Sequence, residues 1–285
     1  MRGKVFMENM TSNGQPAPIK IVGIVCSPHK DGMTFHLTQR ALAGAKAKGA
    51  EVSMVFLADR KMEPCLGCDG NCWDTLECVN DPIPGDIMKR LQEADGLVMA
   101  VPVYCWQMNS LTHLFIDKMR WSTGSVLAPR NRRAAFGIAC AGGSGTGCVL
   151  ALQALYRYFY NWAFHGIRPL PVTRFNYTMA LEEAYAGGEA LVEAIRNGLK
   201  PFPGLGAAMA DLDALPYMMD GAVDELRLIV HQLQAGIGVS SEPLAFTLHT
   251  EAKLAEEAWA NGNRQQAAIH YGMAYEAGNR AWGIA

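Results

Sequence analysis

What most constrains the fold is an alternation that runs through residues 18–197. Five apolar runs, Ile19–Cys26, Glu51–Ala58, Gly96–Val101, Ala134–Ala141 and Ile167–Val172, each precede a stretch whose apolar residues have helical spacing. Those stretches are Met33–Lys48, Ile87–Ala94, Met108–Trp121, Val149–Phe164 and Ala180–Asn197, the last with Gly187–Gly188 inside it. A continuous apolar run suits a strand buried on both faces. Strand and helix in alternation predict an α/β domain with a five-stranded parallel sheet. Its crossovers are right-handed, so helices cover both faces. In such sheets ligands lie beyond the carboxyl ends of the strands, at the point where strand order reverses.

Three turns fall at such ends. The first, CSPHKDGMT, follows the first run. Backbone N–H groups at a helix N-terminus converge on an anion with favourable dipole sign. Ser27 and Thr34 add hydroxyls, His29 and Lys30 add cationic contacts, and Gly32 permits a tight turn beside Met33. A plain helix cap by Thr34 or Asp31 explains the same residues. The second turn holds Pro102, Val103, Tyr104, Cys105 and Trp106. Its aromatic rings offer flat apolar surface to a ligand, or simply pack. The third, Ala141, Gly142, Gly143, Ser144 and Gly145, is glycine-rich but lacks the spacing of a dinucleotide fingerprint.

Beyond residue 197 the texture changes. KPFPGLG and QAGIGVSSEP read as breaks. Asp220–Leu233 reads as an amphipathic helix, and Thr247–Ala260 with Arg264–Ala281 as a helical hairpin, so residues 198–285 form a helical extension. The hairpin has the small-residue spacing of one tetratricopeptide-type unit. A single unit cannot bury its own apolar face, so it packs on its own domain or a partner subunit, or recognises a peptide. Residues 1–17 read as a flexible polar leader without the apolar centre of a signal peptide. A net charge of −2 gives no footprint for nucleic acid. No apolar run is long enough for a membrane span, and the expected location is cytoplasmic. His113 and His165 are isolated, and structural roles are expected for both.

The turns also carry a resemblance. IVGIVCSPHKDGMT and VPVYCWQMNSLTHLFIDKMRW are similar to the first strand and phosphate loop, and to the Pro-Val-Tyr segment, of the flavodoxin-like NADPH-dependent FMN reductase family. Ser27, Pro28, Gly32 and Thr34 match the phosphate loop, while His29 and Met33 stand where Arg and Asn are usual. The resemblance implies that FMN is the ligand and that residues 102–106 line its ring. It also implies that residues 141–145 approach the ring through their backbone.

Eight cysteines occur, and Cys65, Cys68, Cys72 and Cys78 have the spacing C-x2-C-x3-C-x5-C within a loop over 62–85. Four thiolates so placed can hold a [4Fe–4S] cluster or zinc, or remain free thiols or a redox disulfide. The remaining four, Cys26, Cys105, Cys140 and Cys148, read as core or pocket residues. The iron–sulfur flavoprotein branch of the superfamily resembles this chain in carrying four cysteines in the same loop. Its usual form has one residue fewer before the third cysteine, and Gly70 can absorb the extra one.

What the resemblance implies is an FMN-dependent oxidoreductase. It would pass electrons from NAD(P)H or a ferredoxin-like donor to a quinone, an oxygen species or a protein acceptor, and would form a homodimer or homotetramer. The alternatives are a cluster-free NAD(P)H:FMN or quinone reductase, and a non-enzymatic interaction protein that uses the C-terminal hairpin.

Overall fold

The computed structural model describes residues 17–68, 72, 78–81, 83–119, 133–238 and 242–284. The expected leader therefore lies outside the described residues except for its last position. The chain opens with β1 (Lys20–Val25), α1 (Met33–Ala47), β2 (Glu51–Phe56), α2 (Ile83–Glu93) and β3 (Gly96–Tyr104). It continues with β4 (Gln107–Met108), α3 (Ser110–Lys118), β5 (Arg133–Ala141), α4 (Cys148–Asn161), β6 (Phe164–Gly166), β7 (Leu170–Thr173) and α5 (Tyr177–Arg196). Four further helices follow: α6 (Leu205–Asp213), α7 (Ala222–Ile237), α8 (Pro243–Ala260) and α9 (Arg264–Ala281).

β2, β1, β3, β5 and β6 lie side by side in that order, and every neighbouring pair is parallel. Strand order reverses after β1, so the crevice at the carboxyl ends of β1 and β3 is the switch point. Side chains alternate across the sheet as strand geometry requires. Leu97, Met99 and Val101 of β3 face the layer of α2, α3, α4 and α6, whereas Val98 and Ala100 face α1 and α5. The α1–α5 crossing is close because both helices carry glycine at the contact. A Cβ on Gly188 would lie 1.8 Å from the Ala41 carbonyl oxygen, and one on Gly44 would lie 2.0 Å from that of Tyr185.

Among the described residues the sheet has seven strands rather than the five expected. One addition is β4, which turns back on β3 as a short antiparallel hairpin. The other is β6, which lies ahead of the fifth expected run Ile167–Val172, where only β7 falls, so two strands share the fifth position beside β5. β6 pairs with Arg133–Ala135 and β7 with Ile138–Ala141. Between them the Tyr156 hydroxyl accepts from Gly137 N–H at 3.0 Å and donates to the Ile167 carbonyl at 2.7 Å. A buried tyrosine thus stands in for ladder bonds where the strand breaks. β3 also runs on through Pro102 to Tyr104, and Met108, expected in a helix, belongs to β4. α6 was not expected: the KPFPGLG break covers its first two residues, Leu205 and Gly206, and the rest was given no reading. Pro201, Pro203 and Gly204 precede it, and prolines are tolerated at helix starts, so punctuation there hid a helix.

α7, α8 and α9 share an apolar core built on Ile229, Leu233, Leu248, Ala252 and Tyr271, with Phe175 from the α/β layer. The hairpin α8–α9 therefore buries its apolar face on α7. A polar knot holds the same interface. Arg227 donates to both Glu256 carboxylate oxygens at 2.8 and 2.7 Å, and Tyr271 donates to Glu256 Oε1 at 2.5 Å. His231 Nε2 lies 2.8 Å from the same oxygen. Among the described residues no helix is long and apolar enough to cross a membrane.

Candidate functional site: a cleft at the carboxyl edge of the sheet

Three strand ends enclose a cleft of about 610 Å³, within the size range of small-molecule sites. Its floor is the start of α1. Gly32 stands at the N-cap with extended backbone, gives the first turn no side-chain cap, and no acidic residue lies in that turn. Helix N–H groups are left for an outside acceptor. Ser27 is buried, and its Oγ accepts from His29 N–H at 3.0 Å, which leaves the hydroxyl hydrogen to donate elsewhere. The Thr34 hydroxyl lies in hydrogen-bond reach of the Cys140 thiol, which burial pushes up to about 12. Cys26 is likewise pushed up to about 12 by burial. Both thiols stay protonated near neutral pH, so neither is a nucleophile.

Of the residues expected to bind, Ser27, His29, Lys30, Gly32, Met33, Thr34, Pro102, Val103, Tyr104 and Gly142 line this cleft. Lys30 does so with its ammonium paired to Asp59, which reduces it as a phosphate contact. Cys105, Trp106, Ala141, Gly143, Ser144 and Gly145 are not among the lining residues. The lining also includes Pro28 and Asp31, from the first turn, and Cys140, which had been read as one of four core or pocket cysteines. No local signal separates a cysteine that faces the cleft from one that faces the core.

Cys105 and Trp106 have another part. They are the two central residues of the β3–β4 hairpin, with φ of 49° and 67°. That is the left-handed pair a two-residue hairpin demands, normally supplied by Asn or Gly. The turn leaves Tyr104 46 % and Trp106 53 % exposed at the rim. Asn109 anchors this segment, because its side chain donates to the Cys26 carbonyl at 3.0 Å and caps α3 by accepting from Thr112 N–H at 3.2 Å. The first bond was not legible, since it joins residues far apart in sequence; the cap is local, but the helix had been expected to start at Met108, ahead of Asn109.

In the glycine-rich turn, a Cβ on Gly143 would meet nothing within 4 Å, so bare backbone faces open space. Arg174 donates to the Gly142 carbonyl at 2.6 Å. At the end of this turn the N-terminus of α4 is already occupied. Glu225, from α7, accepts from Gly147 N–H at 2.9 Å and from Val149 N–H at 2.8 Å. Burial raises the Glu225 carboxyl, opposed by these backbone donors.

The structure thus sets an open helix N-terminus, the Tyr104 ring and the Gly142 backbone around one space. This donor set fits a flat ring bearing a phosphate tail. Residues 19–171 match the family model described as NADPH-dependent FMN reductase. The chain belongs to that family. An iron-sulfur flavoprotein of Methanocaldococcus jannaschii is 31% identical over 102 residues, 36% of this chain and 52% of the relative. An iron-sulfur flavoprotein of Archaeoglobus fulgidus is 33% identical over 101 residues, 35% of this chain and 46% of the relative. The chain spans about half the length of these curated relatives. Among solved structures, RosB with a bound 8-demethyl-8-formylriboflavin-5'-phosphate intermediate superposes with a TM-score of 0.50 at 15% identity. That likeness covers 67% of this chain and 85% of RosB, and it is one of fold. Within this reductase family member, the extension after residue 171 lies outside the match.

Cys65, Cys68, Cys72 and Cys78 are not among the residues that line the cleft. Cys65 and Cys68 are exposed, and Cys72 and Cys78 are half-buried. As a donor set, four thiols at this spacing suit an iron–sulfur cluster. Among the described residues no three His, Cys, Asp or Glu side chains converge on a point that would hold a metal. Asp69, Gly70 and Asn71, the expected adjustment in the spacing, lie outside the described residues. Beneath the loop is an unexpected cation. Lys118 is fully buried, with Nζ 3.5 Å from Asp81 Oδ2, 3.3 Å from Asn80 Oδ1 and 3.4 Å from Cys78 Sγ. His165 has a packing role, stacked on Phe202 at 4.1 Å between ring centroids.

Proposed function

We propose that this chain binds FMN in the carboxyl-edge cleft and acts as an FMN-dependent oxidoreductase of the iron–sulfur flavoprotein type. The observation that carries this is the uncapped start of α1 lining one cleft with Tyr104 and Gly142. FMN, when bound, accepts a hydride and can release its electrons one at a time. The residues present hold and orient it. First-turn N–H groups of α1, with the Ser27 hydroxyl, take the phosphate. Pro102, Val103 and Tyr104 wall the ring, and the Gly142 backbone lies against its polar edge. The donor is NAD(P)H or a ferredoxin-like protein, and the acceptor a quinone, an oxygen species or a protein. Assembly as a homodimer or homotetramer belongs to the same proposal.

Cys65, Cys68, Cys72 and Cys78 are proposed to ligate a [4Fe–4S] cluster, on the strength of their spacing and of the relatives' names. A second reading, a cluster-free NAD(P)H:FMN or quinone reductase, draws on the spread of these thiols over exposed and half-buried positions. An anaerobic visible spectrum with iron and acid-labile sulfide assays on the same sample separates them. Flavin bands with about four iron and four sulfide per chain are expected. Flavin without iron selects the cluster-free reductase. Protein that takes up neither FMN nor iron and sulfide sinks both.

A further inference from the structure

The cleft belongs to the α/β layer, yet its walls are braced from the C-terminal extension. Glu225 of α7 is 4% exposed and holds the N–H groups of Gly147 and Val149. Gly147 has φ +97° and no room for a side chain: a Cβ there would lie 2.6 Å from the Trp106 Cα and 2.7 Å from Val103 Cγ1. One turn further along α7, Ile229 closes on Gly145, at φ +90°, where a Cβ would lie 3.4 Å from Ile229 Cγ2. One face of α7 therefore backs both left-handed glycines of the turn. Gly147 in turn backs the hairpin that keeps Cys105 and Trp106 at positive φ. Adjacent non-glycine residues persist there only where their surroundings over-determine them. The stack Glu225–Gly147–Trp106 supplies that restraint.

We infer that Glu225 is a positioning residue for the cleft: it fixes the glycine-rich turn directly and the Tyr104–Trp106 hairpin through Gly147. This rests on the FMN reading for its ligand.

The test uses the full-length chain. Amide hydrogen exchange is followed in ligand-free wild type, Glu225→Ala and Leu248→Ala, and each is titrated with FMN. Leu248 is buried in the α7–α8 core and is not among the nearest neighbours of Gly145 or Gly147, so its variant loosens the extension while leaving Glu225 in place. Glu225→Ala is expected to speed exchange in 142–149 and 104–108 and to weaken FMN binding about tenfold or more. Leu248→Ala should do neither. Unchanged exchange in Glu225→Ala, wild-type affinity in it, or equal effects from Leu248→Ala would overturn the inference. If Glu225→Ala does not fold, Glu225→Gln, which keeps an accepting oxygen and loses the charge, is read the same way with a smaller acceleration. If wild type takes no FMN, the FMN reading fails, and the positioning role is still decided by exchange.

Discussion

At the residue scale, Gly32 separates binding from stability. Its backbone is extended (φ −105°, ψ 173°), and a Cβ there would make ordinary contact with His29 at 3.5 Å. Asp is therefore accommodated and would cap α1, worth a few tenths of a kcal/mol over Gly. The same carboxylate would occupy and repel the phosphate position. Gly32→Asp is expected to raise slightly the melting temperature of the ligand-free protein while FMN affinity drops at least tenfold. Calorimetry and a flavin titration check it; a variant that binds FMN like wild type would move the phosphate elsewhere. That Ser27, Gly32 and Thr34 line the cleft was legible because their placement is local, set by one turn after one strand. The roles of Asn109, Glu225 and Lys118 were not. Each is an ordinary polar residue on a helix or at its cap, and its meaning comes from a partner many residues away.

At the element scale, two contacts make predictions of opposite kinds. The α1–α5 crossing is steric. Helix propensity alone favours Ala over Gly by about 1 kcal/mol, but a Cβ on Gly188 would overlap a backbone carbonyl that no rotamer change can move. Gly188→Ala is expected to destabilise by about 1–3 kcal/mol, read from urea midpoints; a stabilised variant would mean that the helices part freely. The α7–α8 contact is electrostatic. Burial opposes ionisation of Glu256, but hydrogen bonds from Arg227, Tyr271 and His231 outweigh it and hold the carboxyl at about 2. An unfolded glutamate titrates near 4.3, so the unfolded chain takes up this proton first. Stability from Glu256 is then full above about pH 4.5 and is lost as pH falls toward 2. Urea midpoints from pH 6 to 3 should drop more steeply in wild type than in Glu256→Gln; parallel profiles would show that the knot contributes nothing. The sequence suggested a hairpin seeking a partner surface. That α7 is the surface could not be read, because Ala- and Gly-rich faces pack equally well on many neighbours.

At the scale of the whole molecule, apolar periodicity was enough to predict a doubly wound parallel sheet, since buried strands differ from helices in length and flanking residues. It was not enough to show the β3–β4 hairpin or the two strands that share the fifth position. Those depend on Cys105 and Trp106 accepting positive φ and on the Tyr156 hydroxyl reaching Ile167, neither of which has a compositional mark. The site followed the same division. Its floor is one contiguous segment and was visible, whereas its braces come from the extension beyond the matched residues.

The outer margin of β7 has a consequence for assembly. Pro171 has no N–H to offer, and its carbonyl accepts from Asn176 at 3.2 Å and Gln232 at 3.3 Å. Thr173 N–H is taken by Asn176 Oδ1 at 2.8 Å. Side-chain amides thus use up the hydrogen-bonding row that a sheet edge would otherwise present to another strand. Growth of the sheet from copy to copy is closed along β7, and misassembly through strand pairing is blocked at this margin.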